Sequence, residues 1–174
     1  MPPDAKALEK EQLAQWMSAP LEDLVRHIVE RYHLEGRLEI ARLEAQAEEA
    51  VLLGDRHNPA LIQIRNEVCR FANEMRSHLQ LEEREIFPVI LELAYGMPPT
   101  QLAGPLSAIK QMMEKEHEAE ASILRGIRSL AAACATGSGA SALPEAFHTT
   151  LRGITTSLQR HFFLETQILM KRLA

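Results

Sequence analysis

Two pairs of the form His-x-x-x-Glu, each set within an apolar stripe of helical period, most constrain how this chain can fold. His78 and Glu82 form one pair, and His161 and Glu165 form the other. Residues four apart lie on the same face of an α-helix, so each pair shares its face with apolar neighbours. Because an unpaired buried charge costs several kcal/mol, each pair needs a partner in the core. A metal ion would satisfy both side chains.

Four long amphipathic segments follow one another along the chain, separated by stretches rich in glycine and proline. The pattern predicts four helices, over residues 20–53, 59–93, 105–133 and 143–173. A short helix over 5–16 is predicted ahead of them, Asn58 is expected to cap the second long helix, and Pro88 is expected to bend it. No alternating pattern indicates a strand. The sequence therefore predicts an all-α fold, an antiparallel up-down four-helix bundle in a single domain over residues 1–174.

Each predicted helix carries a histidine at the same depth in the bundle. These residues are His33, His78, His117 and His161. At a rise of 1.5 Å per residue, the first two both lie roughly 30 Å from the turn that joins their helices. The same count places the other two at matching distances from the turns beside them. Three further histidines, His27, His57 and His148, fall off this layer or point elsewhere and are interpreted as structural or surface residues.

Four imidazoles and two carboxylates at one layer form a ligand set for two first-row metal ions. Each metal would take two histidines and one oxygen from each bridging glutamate, with room left for an exogenous ligand such as oxygen or nitric oxide. Nitrogen and oxygen ligands without thiolate favour iron or manganese, and zinc also suits them. Around the ligands we expect Glu74 and Glu116 to relay protons or escort an ion and Tyr32 to border the site. The alternatives are that the carboxylates of Glu74 and Glu116 are simply solvated and that Tyr32 packs in the core.

Charge and composition narrow the functional class. A net charge of −5 with no basic block argues against a nucleic-acid partner, and no apolar run approaches the length of a membrane span. The N-terminal residues lack the pattern of a secretory signal, which predicts a cytoplasmic protein. Cys69 and Cys134 form no metal or redox motif, and both are predicted to be buried thiols in a reducing compartment.

Four stretches of the sequence, in combination, resemble one known family. They are residues 16–33, residues 77–88, Glu116-His117-Glu118-Ala119 preceded by Gly104-Pro105-Leu106, and His161-Phe162-Phe163-Leu164-Glu165. The combination resembles the repair of iron centres (RIC) proteins, which are hemerythrin-like di-iron proteins of the bacterial nitrosative and oxidative stress response. The likeness extends from residue 14 to residue 170.

The resemblance implies a hemerythrin-like bundle with a non-haem centre of two iron ions, of the Fe-O-Fe type. Its ligands would be His33, His78, Glu82, His117, His161 and Glu165, with both glutamates bridging. It also implies a role in restoring iron–sulfur clusters by iron supply, with nitric oxide or oxygen as ligand and iron–sulfur proteins as partners. Two features depart from the family: there is no room for the usual N-terminal domain with its Cys-Cys motif, and Leu169-Met170-Lys171 replaces the aromatic-proline ending.

Other functions stay open. An oxygen-binding hemerythrin, a carrier or sensor, would use a fifth histidine one turn from the ligand on the third helix, where this chain has Met113 and Ala121. It would also end in His-x-x-x-x-Asp, where this chain has Thr166. The sequence therefore disfavours reversible oxygen carriage. A nitric oxide or peroxide reductase at the same centre and a metal-free interaction bundle are the remaining alternatives, so enzymatic activity and oligomeric state are left open.

Overall fold

The computed structural model describes residues 14–54, 56–97, 106–136 and 143–173. These residues form four long helices and contain no strand, which confirms the all-α bundle. The helices are α1 (21–53), α2 (59–94), α3 (Leu106–Thr136) and α4 (145–173). Consecutive helices pack against each other and α4 closes the bundle against α1. The short helix predicted over 5–16 lies outside the described residues except for 14–16, which are helical.

Three of these helices are not uniform α-helices, because each contains a π-helical segment. The segments of α1 are Leu21–His27, the π-helix Ile28–His33 and Leu34–Leu53. Those of α2 are Pro59–Leu81, the π-helix Glu82–Ile86 and Phe87–Ala94. Those of α4 are Glu145–Phe163, the π-helix Leu164–Leu169 and the 3₁₀ turn Met170–Leu173.

The π-helix of α2 ends at Ile86, two residues before Pro88, where the sequence predicted a bend. Proline has no N–H to donate, and its ring collides with the carbonyl four residues earlier. The wider π-helical turn leaves room for the proline ring. Within it, the Phe87 N–H donates to the carbonyl of Glu82, five residues back. At the other end of α2, the Asn58 side chain accepts a hydrogen bond from the Ala60 N–H at 3.0 Å, as expected for an N-cap.

A buried polar layer divides the apolar core into two clusters. The larger cluster lies towards the turn between α1 and α2 and includes Phe71 and Phe147, both fully buried. The smaller cluster lies towards the other end and includes Leu24, Ile90 and Met113. On every helix, the predicted ligands lie where the residues of one cluster give way to those of the other. The packing of both clusters therefore holds the predicted ligands of the four helices at the same level along the bundle axis.

The two cysteines differ in burial. Cys134 is buried, but Cys69 is exposed, so the prediction of two buried thiols is wrong for Cys69. Val68 and Ala72 occupy the inward positions of α2, and the helical period leaves residue 69 on its outer face. Both thiols are free.

No helix within the described ranges has the length and apolar character needed to cross a bilayer.

Candidate metal centre

The six predicted ligands lie together in the polar layer. They are His33 of α1, His78 and Glu82 of α2, His117 of α3, and His161 and Glu165 of α4. All six side chains are buried, and the most accessible of them is only 6% exposed. Every helix therefore contributes at least one side chain to a single buried cluster.

The cluster divides into two groups of four, and within each group the candidate ligand atoms lie within 4.8 Å of one another. In one group, the Nε2 atoms of His33 and His161 are 3.0 Å apart. Glu82 Oε2 lies 3.3 Å from His33 Nε2, and Glu165 Oε1 lies 2.6 Å from His161 Nε2. This arrangement surrounds one small space with two imidazole nitrogens and two carboxylate oxygens.

The second group uses the other oxygen of each glutamate. Glu82 Oε1 lies 3.3 Å from His78 Nε2, and Glu165 Oε2 lies 3.2 Å from His117 Nε2. Each carboxylate thus faces one histidine pair with one oxygen and the other pair with the second oxygen. This is the geometry of a glutamate that bridges two cations.

The buried polar atoms at the centre fit a pair of metal ions. Both carboxylate oxygens of Glu82 and of Glu165 lack a hydrogen-bond donor among the described residues, as do the Nε2 atoms of His78 and His117. Native proteins rarely leave such atoms unsatisfied, because each one costs about 1–3 kcal/mol. Two divalent cations would satisfy these atoms, and this nitrogen and oxygen donor set suits iron, manganese or zinc.

The charges in the cluster shift its pKa values strongly. Burial lowers the pKa of His33, but the nearby carboxylates of Glu165 and Glu82 outweigh it and raise the pKa to about 9. Burial likewise opposes protonation of His78, whereas Glu116 and Glu82 raise its pKa to about 11. Burial raises the pKa of Glu165, but the charge of His161 and the neighbouring histidines hold it well below its usual value. The two buried carboxylates therefore require positive charge nearby, which a metal ion would supply in place of protons.

The π-helical turns coincide with this cluster. His33 is the last residue of one π-helix, Glu82 is the first residue of another, and Glu165 lies within the third. Such turns are rare and occur frequently at functional sites. The sequence pattern was interpreted on a regular helical period, so these three irregularities were not predicted.

Outside the cluster, the second ring nitrogen of His33 contacts a carboxylate that is in turn paired with an arginine. His33 Nδ1 lies 2.8 Å from Glu83 Oε1, and Arg37 Nη1 donates to the same oxygen at 2.9 Å. Sequence analysis missed Glu83 and Arg37, because only the packing of α1 against α2 brings them together. Contacts of this kind fix the orientation of a ligating imidazole.

His78 has two acidic neighbours on α3. Its Nδ1 lies 3.2 Å from Glu116 Oε2 and 3.8 Å from Glu120 Oε1. Glu116 was expected beside the site, whereas Glu120 was missed although it follows Glu116 by four residues on the same helical face. Burial raises the pKa of Glu120 to about 8. Glu74 is exposed and shares a cavity of about 110 Å³ with His78, Glu116 and Glu120.

Two of the candidate ligand rings have aromatic neighbours. The Tyr32 ring stacks nearly parallel to His161 with centroids 5.7 Å apart, which places Tyr32 at the border of the cluster. The Phe162 ring stacks on His117 with centroids 3.9 Å apart and an interplanar angle of 9°. Phe162 was not identified from the sequence, where it appeared only as an apolar residue after His161.

The other histidines lie elsewhere. His27 stacks on Trp16 with centroids 4.5 Å apart. His57 is exposed in the turn between α1 and α2, and His148 contacts Phe147 near the start of α4. None of the three belongs to either group of candidate ligands.

Comparison with known proteins agrees with this geometry. A family model described as the hemerythrin HHE cation binding domain matches residues 24–173. A protein named "Iron-sulfur cluster repair protein YtfE" from Pectobacterium carotovorum subsp. carotovorum (strain PC1) is 27% identical over 157 residues, which are 90% of this chain and 67% of that protein. Proteins of the same name from Yersinia pseudotuberculosis serotype IB (strain PB1/+) and Escherichia coli O81 (strain ED1a) are each 27% identical. The match to the Yersinia protein spans 90% of this chain and 67% of that protein. The match to the Escherichia coli protein spans 97% of this chain and 73% of that protein. These matches confirm the likeness to the iron-centre repair family.

Proposed function

Because this chain belongs to the hemerythrin HHE cation-binding family, we propose that it is a non-haem di-iron protein that supplies iron for the repair of damaged iron–sulfur clusters. The proposed ligands are His33 and His161 for one iron, His78 and His117 for the other, and Glu82 and Glu165 as bridges. The protein would act in the cytoplasm during nitrosative or oxidative stress, with iron–sulfur proteins as its partners.

One observation carries this proposal: the two oxygens of each buried glutamate face different histidine pairs. Glu82 Oε2 lies 3.3 Å from His33 Nε2, and its Oε1 lies 3.3 Å from His78 Nε2. Glu165 repeats the arrangement from the opposite helix with His161 and His117. A single cation would use only half of these atoms, so the arrangement supports two.

The protein residues have separate tasks in this function. The two apolar clusters keep water away from the ligands, while Glu82 and Glu165 supply the negative charge that balances the cations. When bound, the iron pair would supply redox-active ions that accept small ligands such as nitric oxide or oxygen. The relatives named for iron–sulfur cluster repair support iron supply as the outcome.

The structure gives no support to a reversible oxygen carrier with a further histidine or aspartate ligand. Met113, at one position where such a ligand would be expected, is fully buried in the smaller apolar cluster. The Thr166 hydroxyl donates to the carbonyl of Phe162 at 2.7 Å and is therefore already engaged.

Cluster repair can be tested directly. The di-ferrous protein would be incubated without oxygen with an iron–sulfur enzyme damaged by nitric oxide, and the activity of that enzyme followed over time. We expect recovery to exceed that obtained with the same concentration of free ferrous iron, and a Glu82→Ala variant to give no more than free iron does. Recovery equal to the free-iron control would contradict the proposal.

A further inference from the structure

A continuous row of aromatic side chains runs from the protein surface to the candidate ligand His161. The row consists of Trp16, His27 and Tyr32. The ring centroids of Trp16 and His27 are 4.5 Å apart, and those of His27 and Tyr32 are 5.7 Å apart. The Tyr32 ring in turn stacks on His161 at 5.7 Å. We propose that this aromatic row carries single electrons from the surface to the metal centre when the centre meets a peroxide. The proposal requires iron at the cluster, as the proposed function does, but not the supply of that iron to other proteins.

The π-helix of α1 brings the two inner rings of the row together. Residues five apart, such as His27 and Tyr32, lie on different faces of a regular α-helix. At the end of the π-helix, the Leu34 N–H donates to the carbonyl of Val29, five residues back, so each turn is one residue wider. This wider turn rotates Tyr32 towards the face that carries His27, and the two rings meet edge to face at 84°.

The outer end of the row is held in place and is open to solvent. Trp16 is partly buried against the smaller apolar cluster, and its carbonyl accepts a hydrogen bond of 2.8 Å from Arg172 Nη1. All three members of the row line a groove of about 860 Å³ between α1 and α4. A small molecule in solution can therefore reach these rings, whereas His161 is only 1% exposed.

The chemistry of the row differs from that of the aromatic rings beside other candidate ligands. Those rings are phenylalanines, with Phe87 beside His33 and Phe162 beside His117. A phenyl ring is much harder to oxidise than a phenol or an indole. Within the ranges that the structure describes, ring contacts therefore connect only His161 to side chains that can give up an electron.

His27 links the two oxidisable members of the row. Burial and the charge of Arg31 lower the pKa of His27 below its ordinary value. The imidazole is therefore mostly uncharged at neutral pH. An uncharged ring between Trp16 and Tyr32 does not oppose the removal of an electron from either of them.

The row acts when peroxide reaches a centre that is already in the ferric state. Reduction of one hydrogen peroxide molecule to two water molecules takes two electrons and two protons. The Tyr32 phenol and the Trp16 indole each give up one electron and one proton, which leaves a tyrosyl radical and an indolyl radical. A one-electron donor of the ascorbate type in the groove then returns one electron and one proton to each radical. Without the row, the histidine ligands themselves would be oxidised.

Electron transfer between the rings can be measured without iron. Protein loaded with zinc, which has no redox chemistry, is exposed to a pulse of azide radicals that oxidise Trp16, the only tryptophan in the sequence. We expect the indolyl absorption to decay into that of a tyrosyl radical at a rate independent of protein concentration. Tyr32→Phe should lose this step. Tyr95→Phe should keep it, because Tyr95 is 62% exposed and its hydroxyl donates to Glu22. Persistence of the step in the Tyr32 variant, or its loss in the Tyr95 variant, would overturn the proposal.

The second measurement uses the di-ferric protein and hydrogen peroxide. Samples frozen within milliseconds are examined by electron paramagnetic resonance, and the digested protein is then analysed by mass spectrometry for oxidised histidine. We expect a tyrosyl radical that is absent from Tyr32→Phe, together with more oxidation of His161 in that variant. Tyr95→Phe should behave as the unmodified protein does, and ascorbate should remove the radical. Equal oxidation of His161 with and without the Tyr32 phenol, or a tyrosyl radical that survives in Tyr32→Phe, would refute the role of the row.

The outcome can be separated from that of the proposed function. Cluster repair by a protein that forms no radical on Trp16 or Tyr32 would overturn only the aromatic row. Radical transfer along the row in a protein that repairs no cluster would overturn only the supply of iron to damaged clusters.

Discussion

Glu82 and Glu83 contact the same imidazole, that of His33, through its opposite nitrogen atoms. Glu82 Oε2 lies 3.3 Å from Nε2, on the side of the proposed metals, and Glu83 Oε1 lies 2.8 Å from Nδ1, on the outer side. Glu82 is fully buried, whereas the Glu83 side chain is 29% exposed. Two consecutive glutamates therefore have different tasks, and substitution of each should have a different result.

We expect Glu82→Gln to lose both metals, because the amide supplies neither the second anionic oxygen of the bridge nor its charge. Glu83→Gln should retain both metals, with the affinity of the position between His33 and His161 lower by about 10- to 100-fold. Metal analysis after dialysis gives the stoichiometry, and titration with a competing chelator gives the affinity. Full metal occupancy in the Glu82 variant would refute its role as a bridge.

The matched test among the histidines uses His57, which is exposed in the turn between α1 and α2. His57→Ala should keep both metals, whereas His117→Ala should lose at least the metal between His78 and His117. Metal content and the visible spectrum of the iron-loaded variants provide the measurement. Loss of a metal from the His57 variant would show that the ligand set is wrong.

The helices and the height of the ligands could be predicted because both depend on local rules. Glycine and proline mark the turns, the apolar period of 3.6 marks the inward faces, and the rise per residue converts sequence distance into height. Asn58 illustrates this, since its capping role follows from Pro59 and the next few residues alone.

The residues around the ligands could not be predicted in the same way. Arg37, Glu83 and Phe162 reach their partners only through the rotation of one helix against another, which no single segment encodes. The π-helices change the local period by a shift in backbone hydrogen bonds, for which Pro88 is the one visible cause. Cys69 was misplaced because an apolar thiol was assumed to face inwards, although its neighbours already filled the inward positions.

The N-cap of α2 should make a measurable contribution to the free energy of unfolding. Asn58→Ala removes the acceptor for the Ala60 N–H, and we expect a loss of about 1 kcal/mol. Asn66→Ala is the control, because Asn66 is exposed in mid-helix and accepts only from the Arg65 side chain. Urea unfolding of both variants gives the comparison, and equal stabilities would contradict the capping role.

The larger apolar cluster should contribute to stability independently of the metals. Phe147 is fully buried there, and Phe147→Ala is expected to lower the free energy of unfolding by about 3–5 kcal/mol. Phe163, on the same helix, is 41% exposed, and its replacement by alanine should change stability by no more than about 0.5 kcal/mol. Denaturant unfolding of metal-stripped protein separates the two, and a small effect at Phe147 would show that the cluster packs loosely.

Protein stripped of metal should lose stability as the pH rises, in contrast to most proteins near neutrality. The pKa of His33 is raised from 6.5 to about 9 in the folded state, so its stabilising contribution is complete below pH 6.5 and is lost as the pH rises through 9. Burial raises the pKa of Glu120 to about 8, which changes stability in the same direction. Above these values the buried Glu165 carboxylate remains charged, and His33 no longer carries the positive charge that helps to balance it. Melting temperatures recorded from pH 6.5 to 9.5 should therefore fall for the stripped protein and stay nearly level for the iron-loaded protein, whose cations replace the protons. A stripped protein with a constant or rising melting temperature would show that the cluster does not depend on positive charge.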